Sequence, residues 1–259
     1  MVQRPHVSLA IEDHVARVVL ERPPVNALNQ ALVASLRAIA REVRRDRSVW
    51  LVTVTSGCSA FCAGADLKER AGLTDERVAA VVGKIRQMIR AWHDLPQPVI
   101  VGIDGPALGG GLEFALAADL VIASERATMG FPEVGLGIIP GAGGTQLLAR
   151  RTSPSTAGKW IMTSRRFTAE EAFADGVVDF LLPAGGFAAG FARIAAGVGA
   201  SAPLALRQAK RAIRTSTAAD LGRGLAREAS CYARLIPTRD RKEALQAFLE
   251  RREPRWTGK

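Results

Sequence analysis

A chain of 259 residues is too long for a disulfide-stapled miniprotein and fits one large domain or two small ones. Its 48% apolar and 23% charged residues are globular proportions, which exclude a disordered or collagen-like chain, and no stretch reaches the roughly 18 uninterrupted apolar residues of a membrane span. Charge is the unusual quantity: 35 Lys and Arg against 25 Asp and Glu leave +10, of which residues 200–259 hold +8.

That excess raises nucleic acid as a partner, since basic surfaces bind polyanions with little specificity. Against it, 29 of the 35 basic residues are Arg scattered along the chain, and no finger, RRM or KH signature accompanies them. A phosphate-bearing small ligand would draw on the same charge. The opening stretch MVQRPHVSLAIEDH has no apolar signal core, and the three cysteines, Cys58, Cys62 and Cys231, argue against a disulfide framework; together they predict a reducing, cytoplasmic setting. Cys58 and Cys62 are spaced C-x3-C, but zinc would need two further ligands, and His6, His14 and His93 form no spaced pair, so no metal site is expected. No G-x-S-x-G elbow supports a serine nucleophile.

In chain order, Val7–Leu9 and Val15–Leu20 read as two strands around a turn at Glu12-Asp13. The prolines of Glu21-Arg-Pro-Pro-Val-Asn-Ala-Leu28 then break the pattern. Leu28, Leu32, Leu36, Ile39 and Val43 recur at helical spacing with Asn29 as cap, and the opposite face carries Arg37, Arg41, Arg44 and Arg45. Trp50–Thr55 is a buried strand, followed by the small-residue segment Cys58–Ala71. A helix is predicted over Asp75–His93, stopped by Pro96 and Pro98, and a strand over Val99–Ile103. Gly109-Gly110-Gly111 opens an apolar helix over Leu112–Ala118, a strand follows at Leu120–Ala123, and glycine and proline crowd Gly130–Gly144. Alternating strands and helices predict an α/β core over residues 1–196 with crossover connections. Residues 197–259 read as a helical tail, with helices over Leu204–Arg214, Ala218–Ala233 and Arg239–Arg251.

Three loops could carry chemistry. A glycine triplet where a strand gives way to a helix either presents backbone N–H groups to an anion or permits tight packing, and neither a Walker loop nor a dinucleotide fingerprint fits it. Glu113, two residues after the triplet, stands among Leu, Phe and Ala; Glu133 stands in Phe-Pro-Glu-Val, twenty residues later. Each is either a structural carboxylate or half of a pair for acid/base work in an apolar cleft. The loop Phe61-Cys-Ala-Gly-Ala-Asp-Leu-Lys68 offers amides that, with those at Gly110, would make an oxyanion hole, or it is simply a packing turn held by Asp66.

These three segments, Phe61–Lys68, Asp104-Gly-Pro-Ala-Leu-Gly-Gly-Gly-Leu-Glu113 and Phe131-Pro-Glu-Val-Gly-Leu-Gly-Ile-Ile-Pro-Gly-Ala-Gly-Gly-Thr-Gln146, resemble the enoyl-CoA hydratase/isomerase (crotonase) family, and the likeness runs from Glu21 through the tail. It implies a spiral of ββα units with two roughly perpendicular sheets, a C-terminal helical trimerisation region, and a homotrimer or a hexamer built as a dimer of trimers. It also implies an acyl-CoA substrate, no separate cofactor, and an oxyanion hole from the N–H groups of Ala65 and Gly110. Having both Glu113 and Glu133 implies water addition across the C2=C3 bond of an enoyl-CoA, with Glu133 protonating C2 and Glu113 acting as base on the water. Cys62–Ala71, Lys84-Ile-Arg86, Cys231-Tyr-Ala and Ile236–Arg241 resemble the 3-methylglutaconyl-CoA hydratase subgroup. Its second carboxylate would need a cation, and Lys84 and Arg86 are the candidates, alternatively solvated helix residues; generic short-chain enoyl-CoA hydration is the other reading. By the same likeness Ala27, Ala63, Lys68 and, from a neighbouring subunit, Arg251 contact CoA. The RNA binding of the related hydratase is attributed to a lysine-rich first helix, whereas residues 28–47 here have five Arg and no Lys.

Overall fold

The structure, a computed structural model, describes residues 2–216 and 219–259. It opens with an antiparallel meander, β1 (Val2–Arg4), β2 (Val7–Glu12) and β3 (Val15–Leu20). Helix α1 (Gln30–Arg45) follows, its first turn held by the Asn29 side chain accepting from the Leu32 N–H. β4 (Leu51–Ser56) lies parallel to β3, and after α2 (Leu67–Arg70) and α3 (Asp75–His93), β5 (Val99–Ile103) lies parallel to β4. Next come β6 (Ala107–Leu108), α4 (Gly110–Leu116), β7 (Leu120–Ser124) parallel to β5, and β8 (Thr128–Gly130). Helices α5 (Gly144–Arg151) and α6 (Pro154–Met162), strand β9 (Arg166–Thr168), helix α7 (Ala169–Ala174) and strand β10 (Phe180–Leu182) complete the strands. Seven strands form one sheet in the order β1-β2-β3-β4-β5-β7-β10; three form another, β6-β8-β9.

The central strands are buried on both faces, as parallel strands under helices must be. Their period of two sorts side chains between two cores. Val52, Val54, Val99, Val101, Val121 and Ala123 face α1, α3 and α4 in the main core, whereas Leu51, Ile100 and Ile122 face α8 (Phe187–Gly199) through Phe187, Phe191 and Ala195. Gly102 keeps that second face open: a Cβ there would lie 2.7 Å from the Phe191 ring. On the main face the Trp92 indole donates to the Leu36 carbonyl at 3.0 Å and meets the Phe114 ring edge-on, joining α3 to both α1 and α4.

The boundary expected after residue 196 falls inside α8, which continues to Gly199 because its aromatic face packs on the sheet. The tail comprises α9 (Pro203–Ile213), α10 (Leu221–Ala233) and α11 (Arg239–Glu250); Ala218, the expected start of α10, lies outside the described residues. The Lys210 ammonium of α9 pairs with Asp119 and donates to the Gln97 carbonyl, each at 2.6 Å, and Arg214 takes the other Asp119 oxygen. Among the described residues no single helix is long and apolar enough to cross a membrane.

Candidate active site

The first wall of the site is a short parallel pairing of residues 25–28 with 63–66. Ala63 N–H donates to the Val25 carbonyl, Leu28 N–H to the Gly64 carbonyl, and Asp66 N–H to the Leu28 carbonyl. In such a pairing the intervening residue turns its own backbone groups the other way, so the Ala65 N–H faces away from residues 25–28. The break in the sequence at Pro23-Pro24 serves this wall. Asn26, buried and at φ +52°, donates to Ser56, Ala60 and Phe61 and accepts from the Arg22 N–H, while the Arg22 guanidinium binds the Asp66 carboxylate at 2.7 Å.

The three glycines ahead of α4 have three separate reasons to be glycine. Gly109 sits at φ +49°, and a Cβ there would lie 2.5 Å from Oε1 of Glu133. Gly111 packs on the preceding loop, where a Cβ would meet the Cys62 carbonyl oxygen at 2.2 Å. Gly110 faces the cavity: a Cβ on it would lie 3.7 Å from the Ala65 nitrogen and 3.8 Å from Oε2 of Glu113. The triplet is thus divided between packing, at Gly109 and Gly111, and the cavity wall, at Gly110.

Glu113 is 3% exposed, and its Oε1 accepts from the N–H groups of Ala142 and Gly144 at 2.7 and 2.8 Å. Burial pushes its carboxyl above the ordinary 4.5, against the opposing pull of those amides and of the Arg86 guanidinium. Glu133 opens the short 3-10 turn Val134–Leu136, and its carbonyl accepts from Leu136 and Ile138 N–H. Both glutamates, with Ala63, Ala65 and Gly110, line one cavity of about 480 Å³. Its remaining walls are apolar, with Val78, Val82 and Ile85 from α3 and Leu136, Ile138 and Ile139 from the loop after Glu133.

Other expected residues lie elsewhere. Helical geometry aims Val78, Val82 and Ile85 at the cavity, which turns their neighbours about 100° to either side. Lys84 is thus exposed, donates to Gln30 Oε1 at 3.1 Å and lines a separate groove along α1 with Arg37 and Arg41. Arg86 donates through Nε and Nη2 to the Gly141 carbonyl, at 2.9 and 2.7 Å. Neither lines the cavity. The Ala27 carbonyl accepts from Asn29 N–H and Arg22, Lys68 is exposed on α2 beside the cavity rim, and Arg251 caps α11 in the tail at φ +52°. The sequence reading missed the amides of Ala142 and Gly144, whose only trace is Pro140-Gly-Ala-Gly-Gly144. Among the described residues no group of three or more His, Cys, Asp or Glu is placed to hold a metal ion.

Ala65 and Gly110, each in a loop of small residues, thus share one cavity with two buried carboxylates. The chain belongs to the enoyl-CoA hydratase/isomerase family, whose sequence model matches residues 10–259. It is 45% identical over 248 residues, 95% of each chain, to YngF of Bacillus subtilis (strain 168). It is 42% identical over 238 residues to the mitochondrial methylglutaconyl-CoA hydratase of Homo sapiens, covering 90% of this chain and 70% of that one. The fold superposes on the crystal structure of enoyl-CoA hydratase from Bacillus anthracis with TM-score 0.95 at 41% identity, over 98% and 100% of the two chains. This is the crotonase fold, and the family acts on acyl-CoA substrates.

Proposed function

We propose that the protein adds water reversibly across the C2=C3 bond of an enoyl-CoA. The observation that carries this is the convergence at Gly110, where the Ala65 nitrogen and Glu113 Oε2 both come within contact range of one point, with Glu133 over the adjacent Gly109. The thioester oxygen sits between the Ala65 and Gly110 N–H groups, which stabilise it as electrons shift from C3. With Oε1 held by two amides, Glu113 keeps Oε2 for the water, takes a proton as the oxygen bonds to C3, and leaves hydroxide equivalent on carbon. Glu133 delivers the proton to C2; dehydration runs the same steps backward. No cofactor is required beyond the CoA of the substrate. Glu113→Gln and Glu133→Gln should each lower kcat for crotonyl-CoA hydration by about 10²–10⁴; wild-type rates in either variant would end the assignment.

For the acyl group, the likeness to methylglutaconyl-CoA hydratase supports 3-methylglutaconyl-CoA, to or from 3-hydroxy-3-methylglutaryl-CoA. The cavity supports a second reading, an uncharged short acyl chain, since among the described residues its lining is apolar apart from the glutamates. Comparing kcat/KM for 3-methylglutaconyl-CoA and crotonyl-CoA separates them: preference for the dicarboxylic substrate sinks the second reading, and preference for crotonyl-CoA the first. Lys68, Ala27 and Ala63 are the proposed CoA contacts, with Arg251 of a neighbouring copy. Exposed Leu221, Tyr232, Phe248 and Leu249 support assembly as a homotrimer or a dimer of trimers.

A further inference from the structure

We propose that Arg86 is a positioning residue of this reaction: by holding the Gly141 carbonyl it fixes the Ala142 and Gly144 amides on Glu113. Its two donors converge on a single acceptor, and charged donors make the stronger hydrogen bonds. That acceptor is the residue immediately before Ala142, so the chain from Arg86 to the carboxylate is short: guanidinium, Gly141 carbonyl, Ala142 N–H, Glu113 Oε1. The loop is seated on α3 by packing as well, since a Cβ on Gly141 would lie 2.9 Å from the Val82 side chain one turn before Arg86. Glycine at 141, 143 and 144 makes the segment unable to hold its own shape; Gly143 stands at φ +133°. A catalytic carboxylate displaced by its amides would lose the water geometry at Oε2.

Among the described residues the charged groups facing Glu113 are Arg86 from α3 and Glu133 from the loop after β8. The arginines of α5 point elsewhere, Arg150 to Gln146 and Arg151 to Asp179. Removing Arg86 therefore takes away the cation that favours the Glu113 carboxylate and loosens the amides that do the same.

The inference rests on the hydratase reading for its kinetics, and the test has one arm that does not. In the full-length protein, Arg86→Met is compared with Arg86→Lys and with Lys84→Met, which removes a cation from the far side of the same helix turn. Hydrogen exchange at Ala142 and Gly144 should quicken by about tenfold or more in Arg86→Met, as expected when a charge-assisted hydrogen bond to the loop is lost. For crotonyl-CoA, kcat should fall about ten- to a hundredfold with KM within about threefold, the pattern of a misplaced rather than missing catalytic group. The acid limb of its kcat–pH profile should move to higher pH. Arg86→Lys should restore most of the limb position and part of kcat, and Lys84→Met should resemble wild type. Unchanged amide exchange in Arg86→Met overturns the clamp whatever the reaction proves to be. An unchanged kcat and acid limb, or an effect confined to KM for a dicarboxylic enoyl-CoA, overturns the positioning role. A wild-type protein that hydrates no enoyl-CoA ends the proposed function, and the exchange arm still decides the clamp.

Discussion

The cavity and the helical tail divide the molecule by how each uses charge. Among the described residues the cavity lining has no cation; it consists of alanines, glycines, larger apolar side chains and two buried carboxylates. The function proposed above would rest on its backbone N–H groups and those carboxylates. The tail holds +8 of the net +10, with arginines on exposed helices alongside outward-facing Phe248 and Leu249, each 81% exposed. The most conspicuous feature of the composition therefore lies apart from the chemistry. Backbone donors are fixed by the fold and cost no reorganisation when charge develops, whereas mobile surface arginines are solvated and screened.

The contrast is broken most directly at Glu113. Because its folded carboxyl titrates above 4.5, the native state binds the extra proton in that window, so ionisation lowers stability as pH rises through the folded value. A neutral glutamine keeps an oxygen for the Ala142 and Gly144 amides and removes the buried charge. Glu113→Gln should therefore combine its large loss of kcat with a Tm at pH 7 equal to or above that of wild type. The wild-type kcat/KM should fall with acid along a limb lying above pH 4.5. A Tm drop of several degrees together with a limb at or below 4.5 would mean that the carboxylate is structural.

The tail is tested at its buried root. Asp119 joins Lys210, Arg214 and the Val99 N–H. Burial lowers Lys210 to about 8 despite the neighbouring Asp119, so the charged ammonium is held at a net loss that is relieved as pH rises from about 8 toward 10.5. Asp119→Asn strands two cations and should destabilise by about 3 kcal/mol in urea unfolding, whereas Lys210→Met, which leaves Asp119 with Arg214, should lose no more than about 1 kcal/mol. Equal losses would show that the ion pair, not the stranded charge, sets the stability. Activity per folded molecule should be unchanged in both.

Much of this arrangement was legible in the sequence, for identifiable reasons. Long elements with a strong period, α1, α3 and β5, fall on or within two residues of their expected limits because burial enforces the spacing. Glu113 and Glu133 stood out as carboxylates on apolar backgrounds. The strands β6, β8 and β9, of two or three residues, are too short for any period to register. The Ala142 and Gly144 donors are backbone groups that every non-proline residue has, so nothing in their side chains marks them. Lys84 and Arg86 show the angular limit: a subgroup likeness and the need for a cation made them candidates, but that likeness does not say which face of the helix meets the cavity. A turn of about 100° per residue from Ile85 puts neither in its lining.

The smallest effect sits where the two regions of charge would meet around the substrate. Lys68 is an exposed cation one residue beyond Leu67, which lines the cavity, and the contact proposed for it with the CoA phosphates would not involve the reacting carbons. Such a contact is made equally in ground and transition state, and it is screened by salt. Lys68→Ala should raise KM about threefold at low ionic strength, leave kcat unchanged, and lose its effect on KM above roughly 0.3 M salt. A fall in kcat of the same size would place Lys68 among the groups that shape Ala65, through the α2 turn capped by Asp66, and would draw the boundary between the acidic cavity and its basic surroundings one residue further in.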